Sequence, residues 1–140
     1  MKFFRFLFSA AVTLVAANAS LAQPDAKDSP LRIAVYVDSG ARNAGVFRWL
    51  ELTTRAKNVV ATPVDGEAIR RGALDAADVL VMPGGSSIVE SRTLGAEGAA
   101  KLKKFVKNGG GYVGTCAGCS LLMQSSKCHP NMLNMIPYTF

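Results

Sequence analysis

Short apolar runs closed by polar or glycine-rich turns set the rhythm of this chain. Leu31-Arg32-Ile33-Ala34-Val35-Tyr36-Val37 opens it, rich in the β-branched residues of a buried parallel strand. Asn58 to Val64, centred on Val59-Val60-Ala61-Thr62, predicts a second strand. Asp78 leads into a third, Val79-Leu80-Val81-Met82, and Tyr112-Val113 marks a fourth. Helical periodicity fills the gaps. Val46, Trp49, Leu50 and Thr53 share one face of a helix from about Ala44 to Ala56. Asp65-Gly66 turns into a short helix, Glu67 to Leu74. Ala99, Leu102, Phe105 and Val106 stripe a helix from Ala96 to Lys107, which Asn108-Gly109 terminates. A last short helix is expected from Ser120 to Ser125. Strands alternating with helices through short turns predict βαβ units, hence an α/β fold with a parallel sheet covered on both faces.

Ligands of such sheets bind beyond the carboxyl ends of the strands. Three strand ends carry unusual chemistry here: Asp38-Ser39-Gly40, Pro83-Gly84-Gly85-Ser86 and Cys116. Gly114-Thr115-Cys116-Ala117-Gly118 has the G-x-nucleophile-x-G form of a nucleophile elbow, with Cys where hydrolases place Ser. A sharp strand-to-helix turn strains the nucleophile and crowds the residues two positions away on each side, so glycine suits both. The turn also sets the sulfur at a helix N-terminus, which favours a thiolate. Pro83-Gly84-Gly85-Ser86 can present backbone N–H groups toward whatever the cysteine attacks. With the Ala117 amide they would form an oxyanion hole; the plain alternative is a Gly-rich turn. Asp38, Ser39, Gly84, Ser86, Glu90 and Cys119 are the expected lining, Asp38 and Glu90 as nearby carboxylates.

Other readings compete for the same residues. Cys116-x-x-Cys119 at a helix start also matches a thiol redox pair. Cys116, Cys119, Cys128 and His129 are suitable zinc ligand types, but a zinc site would consume the elbow, and no metal is assigned. His129 is the sole histidine, and it could serve Cys116 as a base only by reaching back through a tight turn. Gly109 to Gly114 fits G-x-G-x-x-G, yet these glycines precede a strand instead of leading from one into a helix. No dinucleotide or other cofactor is expected. Lys101, Lys103, Lys104 and Lys107 read as the solvated face of their helix.

The first 22 residues change the composition picture. Lys2 and Arg5, an apolar run from Phe6 to Ala17, and Ser20-Leu21-Ala22 have the layout of a secretory signal peptide cleaved after Ala22. That run is too short for a comfortable membrane span, so no stable membrane anchor is expected after cleavage. Gln23 to Pro30 reads as a linker, and residues 31–140 as one domain of a periplasmic or secreted protein. Cleavage removes four of the seven phenylalanines and lowers the formal charge from +6 to +4, since Lys2 and Arg5 leave and no acid does. Such a balance is too mild to argue for nucleic acid. The three cysteines, Cys116, Cys119 and Cys128, leave at least one thiol unpaired within a monomer. Met132 to Phe140 is apolar and uncharged, and such a tail predicts that the domain continues beyond it.

Val79 to Gly85, followed by Phe105-Val106-Lys107-Asn108-Gly109-Gly110-Gly111-Tyr112-Val113-Gly114-Thr115-Cys116-Ala117-Gly118, resembles the class I glutamine amidotransferase-like superfamily. Within it the chain is most similar to biotin–protein ligase N-terminal-domain-like proteins, many of them exported. The resemblance covers about Leu31 onward. It implies a flavodoxin-like three-layer α/β/α sandwich, Cys116 as nucleophile, Gly85 and Ala117 as oxyanion donors, and a small-molecule or peptide amide as substrate. Amidotransferases complete a triad with His and Glu far downstream of the cysteine, and these 140 residues hold no such positions. Ala117 also stands where intracellular-protease-like members carry a histidine. A non-catalytic binding domain with a vestigial elbow is therefore the alternative to an enzyme. Nothing in the chain resembles an ATP or biotin site.

Overall fold

The computed structural model describes residues 29–127 and 132–138. The expected signal peptide, most of the expected linker, Cys128 and His129 lie outside the described residues. Four parallel strands form one sheet in the order β2-β1-β3-β4: β1 (Leu31–Tyr36), β2 (Val59–Val64), β3 (Val79–Met82) and β4 (Gly111–Gly114). This is a flavodoxin-like α/β sandwich, matching the first four positions of the 2-1-3-4-5 order. The crossover from β1 to β2 runs one way along the sheet, and those into β3 and β4 run the other. Right-handed connections therefore put α1 (Asn43–Arg55) on one face, and α2 (Gly66–Arg70) and α3 (Ser87–Lys107) together on the other.

Alternation along the strands sorts the core. Ala34, Tyr36, Leu80 and Met82 join Ile69, Leu94 and Leu102 in one buried cluster under α2 and α3. Val35 and Val81 point to the α1 face, and both are buried. Val113, on that same face of β4, stays 37% exposed, so α1 does not cover the β4 edge. Arg32 and Asp78 tie β1 to β3 at the opposite end from the cysteine, with Arg32 donating to both carboxylate oxygens. That pairing holds the Asp78 carboxyl at about 2.

Several expectations need correction. The helix expected from Ala96 to Lys107 is present as the second segment of α3, but α3 begins earlier, at Ser87, and is broken at Gly95 (φ 63, ψ −177). Its first segment buries Ser87, Glu90, Ser91 and Leu94, at i, i+3, i+4 and i+7. Only one of those four is apolar, so the helical period carried no hydrophobic signal. The helix expected over Glu67 to Leu74 stops at Arg70, because Gly72 turns left-handed (φ 96) into a 3-10 turn, Ala73–Ala76. The last helix, α4 (Ala117–Leu121), starts directly after Cys116 rather than at Ser120. Finally, Met132 and Leu133 are buried in the core cluster, and residues 133–136 donate backbone hydrogen bonds to the end of α4 and the residues after it. The start of the apolar tail thus has a surface to pack on. The lysine run behaves as expected: Lys101, Lys103, Lys104 and Lys107 are all exposed. Among the described residues no helix is long and apolar enough to cross a membrane.

Candidate functional site

Cys116 stands between β4 and α4 with φ 52 and ψ −110, outside the regions that L-residues favour. Such a conformation costs on the order of 1–3 kcal/mol and persists only where the surroundings impose it. Here they do. The Cys116 carbonyl accepts from the Cys119 and Ser120 amides at 3.0 and 3.1 Å, and Thr115 N–H donates to the Met82 carbonyl at 3.1 Å. The two flanking glycines make the approach possible. A Cβ on Gly114 would stand 2.7 Å from the Gly118 carbonyl group, and one on Gly118 only 2.2 Å from the Met82 oxygen. Tyr112, half-buried on β4, donates its hydroxyl to the Gly118 carbonyl at 2.6 Å and fastens the turn from below. Burial, then the neighbouring Glu90 and Cys119, push that phenol above its ordinary value.

The three strand ends come together as the sequence suggested. Ala41 and Gly85 form an antiparallel bridge, flanked by Arg42 N–H to Gly84 O and Ser86 N–H to Gly40 O, both 2.8 Å. A bridge flanked in this way leaves the bridged residues' own N–H groups facing outward, so the Gly85 amide points away from Ala41. On the other side, a Cβ built on Gly84 would lie 3.0 Å from Cys116 Cβ and 3.8 Å from its sulfur. Neither the Gly85 nor the Ala117 amide finds an acceptor among the described residues. Cys116 itself is free and exposed.

The remaining expected residues fall into four groups. Ser39 and Ser86 are exposed beside the Gly40–Gly85 contact. Asp38 is spent on structure: its carboxylate accepts from Ser39 N–H at 2.6 Å and Gly66 N–H at 3.0 Å, which holds the start of α2. Glu90 does not line the surface at all. It is fully buried, neither carboxyl oxygen has a hydrogen-bond partner among the described residues, and desolvation raises its carboxyl to about 7. It packs under the Gly40 turn, where a Cβ on Gly40 would meet Glu90 Cγ at 2.7 Å. Cys119, one of the expected lining residues, is exposed, and its thiol donates to the Gly114 carbonyl at 2.9 Å. It turns back along the strand end because Gly114 leaves that carbonyl open. Tyr112 and Met82 were not anticipated as supports of the turn; their apolar and aromatic character reads as core packing.

The two larger concavities among the described residues lie elsewhere. One of about 460 Å³ sits between the 3-10 turn and the end of α3, at the far end of the strands. The other, about 850 Å³, lies between α3 and the residues Ser125, Ser126, Met132 and Asn134. Cys116 borders neither, and it stands on an open rim.

A parallel α/β sandwich with an exposed, strained cysteine at the carboxyl end of β4 defines the class. The family model described as "Biotin-protein ligase, N terminal" matches residues 31–132, and the chain belongs to that family. It is also similar to a protein of Chlamydia muridarum (strain MoPn / Nigg) named only as uncharacterized, with 30% identity over 92 residues. That alignment spans 62% of this chain and 36% of the relative, so the chain covers well under two thirds of the relative's length.

Proposed function

We propose that Cys116 is a nucleophile that attacks the carbonyl carbon of an amide or related acyl group, in an exported domain. The observation that carries this reading is the positive-φ cysteine set between glycines, with the unpartnered Gly85 and Ala117 amides beside it. In the reaction the sulfur adds to the carbonyl carbon, and the negative charge moves to oxygen. Those two N–H groups stabilise it, an effect worth about 3–4 kcal/mol per donor where it has been measured in hydrolases. The C–N bond then breaks, the amine leaves with a proton, and water hydrolyses the thioester. The strained backbone is held before substrate arrives, so no reorganisation is needed at the moment of attack.

A second reading follows from the carboxylates. Asp38 is engaged at the start of α2 and Glu90 is buried, so neither hydrogen-bonds to Cys116. A domain that binds a carbonyl or carboxylate group at the Gly85 and Ala117 amides without turnover fits that arrangement. Acid quenching after incubation with small carboxamides and peptide amides separates the two. A thioester on Cys116 that is lost in Cys116→Ser supports the enzyme. Saturable binding that leaves Cys116 unmodified supports the binding domain. Export rests on the pattern of residues 1–22, and N-terminal sequencing of the mature protein should begin at Gln23; a start at Met1 contradicts it.

A further inference from the structure

We propose that Cys116 and Cys119 form a reversible dithiol–disulfide pair that closes across the first turn of α4. The spacing is set by the backbone. Cys119 N–H donates to the Cys116 carbonyl at 3.0 Å, an i to i+3 closure that typically brings the two Cα atoms within about 7 Å. Disulfides need Cα atoms roughly 4.4–6.8 Å apart, so no rearrangement of the sheet is required. Both thiols are free and exposed, and only Ala117 and Gly118 stand between them. Small side chains there leave both sulfurs open to a small-molecule disulfide. The Cys119 thiol is anchored only by its bond to Gly114 O, which one side-chain rotation breaks.

The exchange balances without a metal or cofactor. The Cys116 thiolate attacks one sulfur of a small-molecule disulfide, expels one thiolate and becomes a mixed disulfide. Cys119 then loses its proton to solvent and attacks the Cys116 sulfur, which expels the second thiolate. Two protein thiols are oxidised and one external disulfide is reduced to two thiols. So small a ring gains little from loop closure, and an exposed bond beside a strained backbone is readily reduced. The pair is thus suited to switching rather than to permanent cross-linking. That the switch silences acyl chemistry at Cys116 rests on the function proposed above; the formation of the bond does not.

Trypsin places Cys116 and Cys119 together in the peptide Asn108–Lys127, with Cys128 in the next one. The full chain, folded and reduced, is equilibrated with graded mixtures of reduced and oxidised glutathione, digested and weighed. The expected result is a peptide 108–127 lighter by two hydrogen atoms, in a fraction that rises with the glutathione ratio and reverts with dithiothreitol. Cys119→Ser should stop at a glutathione adduct on Cys116. Three outcomes overturn the proposal: a wild-type chain that stops at mixed disulfides, cross-links to Cys128 that predominate, or the same pairing distribution in folded and denatured protein. Because the readout is mass, it stands whether or not a thioester is ever trapped.

Discussion

Gly84 lies so close to Cys116 that a Cβ built on it would stand 3.0 Å from the cysteine's own Cβ. The contact joins the ends of β3 and β4 and leaves the sulfur bordered by backbone. Gly84→Ala should therefore push Cys116 out of place. The expected cost is about 1–3 kcal/mol, typical of overpacking. Alkylation of Cys116 should slow several-fold. Urea melts and iodoacetamide kinetics on the variant check both, and unchanged kinetics would mean that the 84–85 turn does not shape the site.

Gly118→Ala should be the more damaging change. Its Cβ would collide with the Met82 oxygen at 2.2 Å, and both partners are backbone, so the start of α4 must lift off β3. A loss above about 3 kcal/mol is expected, or roughly 12 °C or more in Tm for a domain of this size. Calorimetry of the two variants side by side checks the order. A Gly118→Ala protein as stable as Gly84→Ala would contradict the tight packing of α4 on Met82.

Glu90 gives the fold a pH dependence of definite sign. Its carboxyl is raised from 4.5 to about 7 by burial, so the folded state keeps a proton that the unfolded chain releases. The Glu90 contribution to stability is then greatest below pH 4.5, falls as pH rises toward 7, and levels off above it. At about 1.4 kcal/mol per pH unit, the loss is on the order of 3 kcal/mol. Glu90→Gln, which has no charge to bury, should be more stable than wild type at pH 8 and lose that advantage at pH 5. Denaturation midpoints of both proteins across that range check it; parallel curves would show that Glu90 titrates normally.

Much of this was legible in the residues. Alternating apolar runs gave the four strands, and the Gly-x-Cys-x-Gly spacing marked the turn that Gly114 and Gly118 make possible. What escaped was written in polar or conformational terms. The first half of α3 buries Ser87, Glu90 and Ser91, so its period has no hydrophobic trace. Gly95 breaks that helix with φ 63 and ψ −177, a backbone that only glycine adopts easily, and nothing around it marks the position. The partner of the Cys119 thiol was not legible either, because helix position alone does not decide where a side chain turns; an open carbonyl at Gly114 does. Asp38 sits where a catalytic carboxylate could, yet the start of α2 claims it, a partnership 28 residues away that local sequence does not reveal.

Cys116 is the sulfur expected to react first. The Gly85 and Ala117 amides near it find no acceptor among the described residues, whereas the Cys119 thiol must first give up its bond to the Gly114 carbonyl. A limiting amount of iodoacetamide at neutral pH, added to the reduced, folded protein, measures the difference directly. Fragmentation of peptide 108–127 should find the label on Cys116 before Cys119, and before Cys128 in the next peptide. Label that reaches Cys119 or Cys128 ahead of Cys116 would contradict the account.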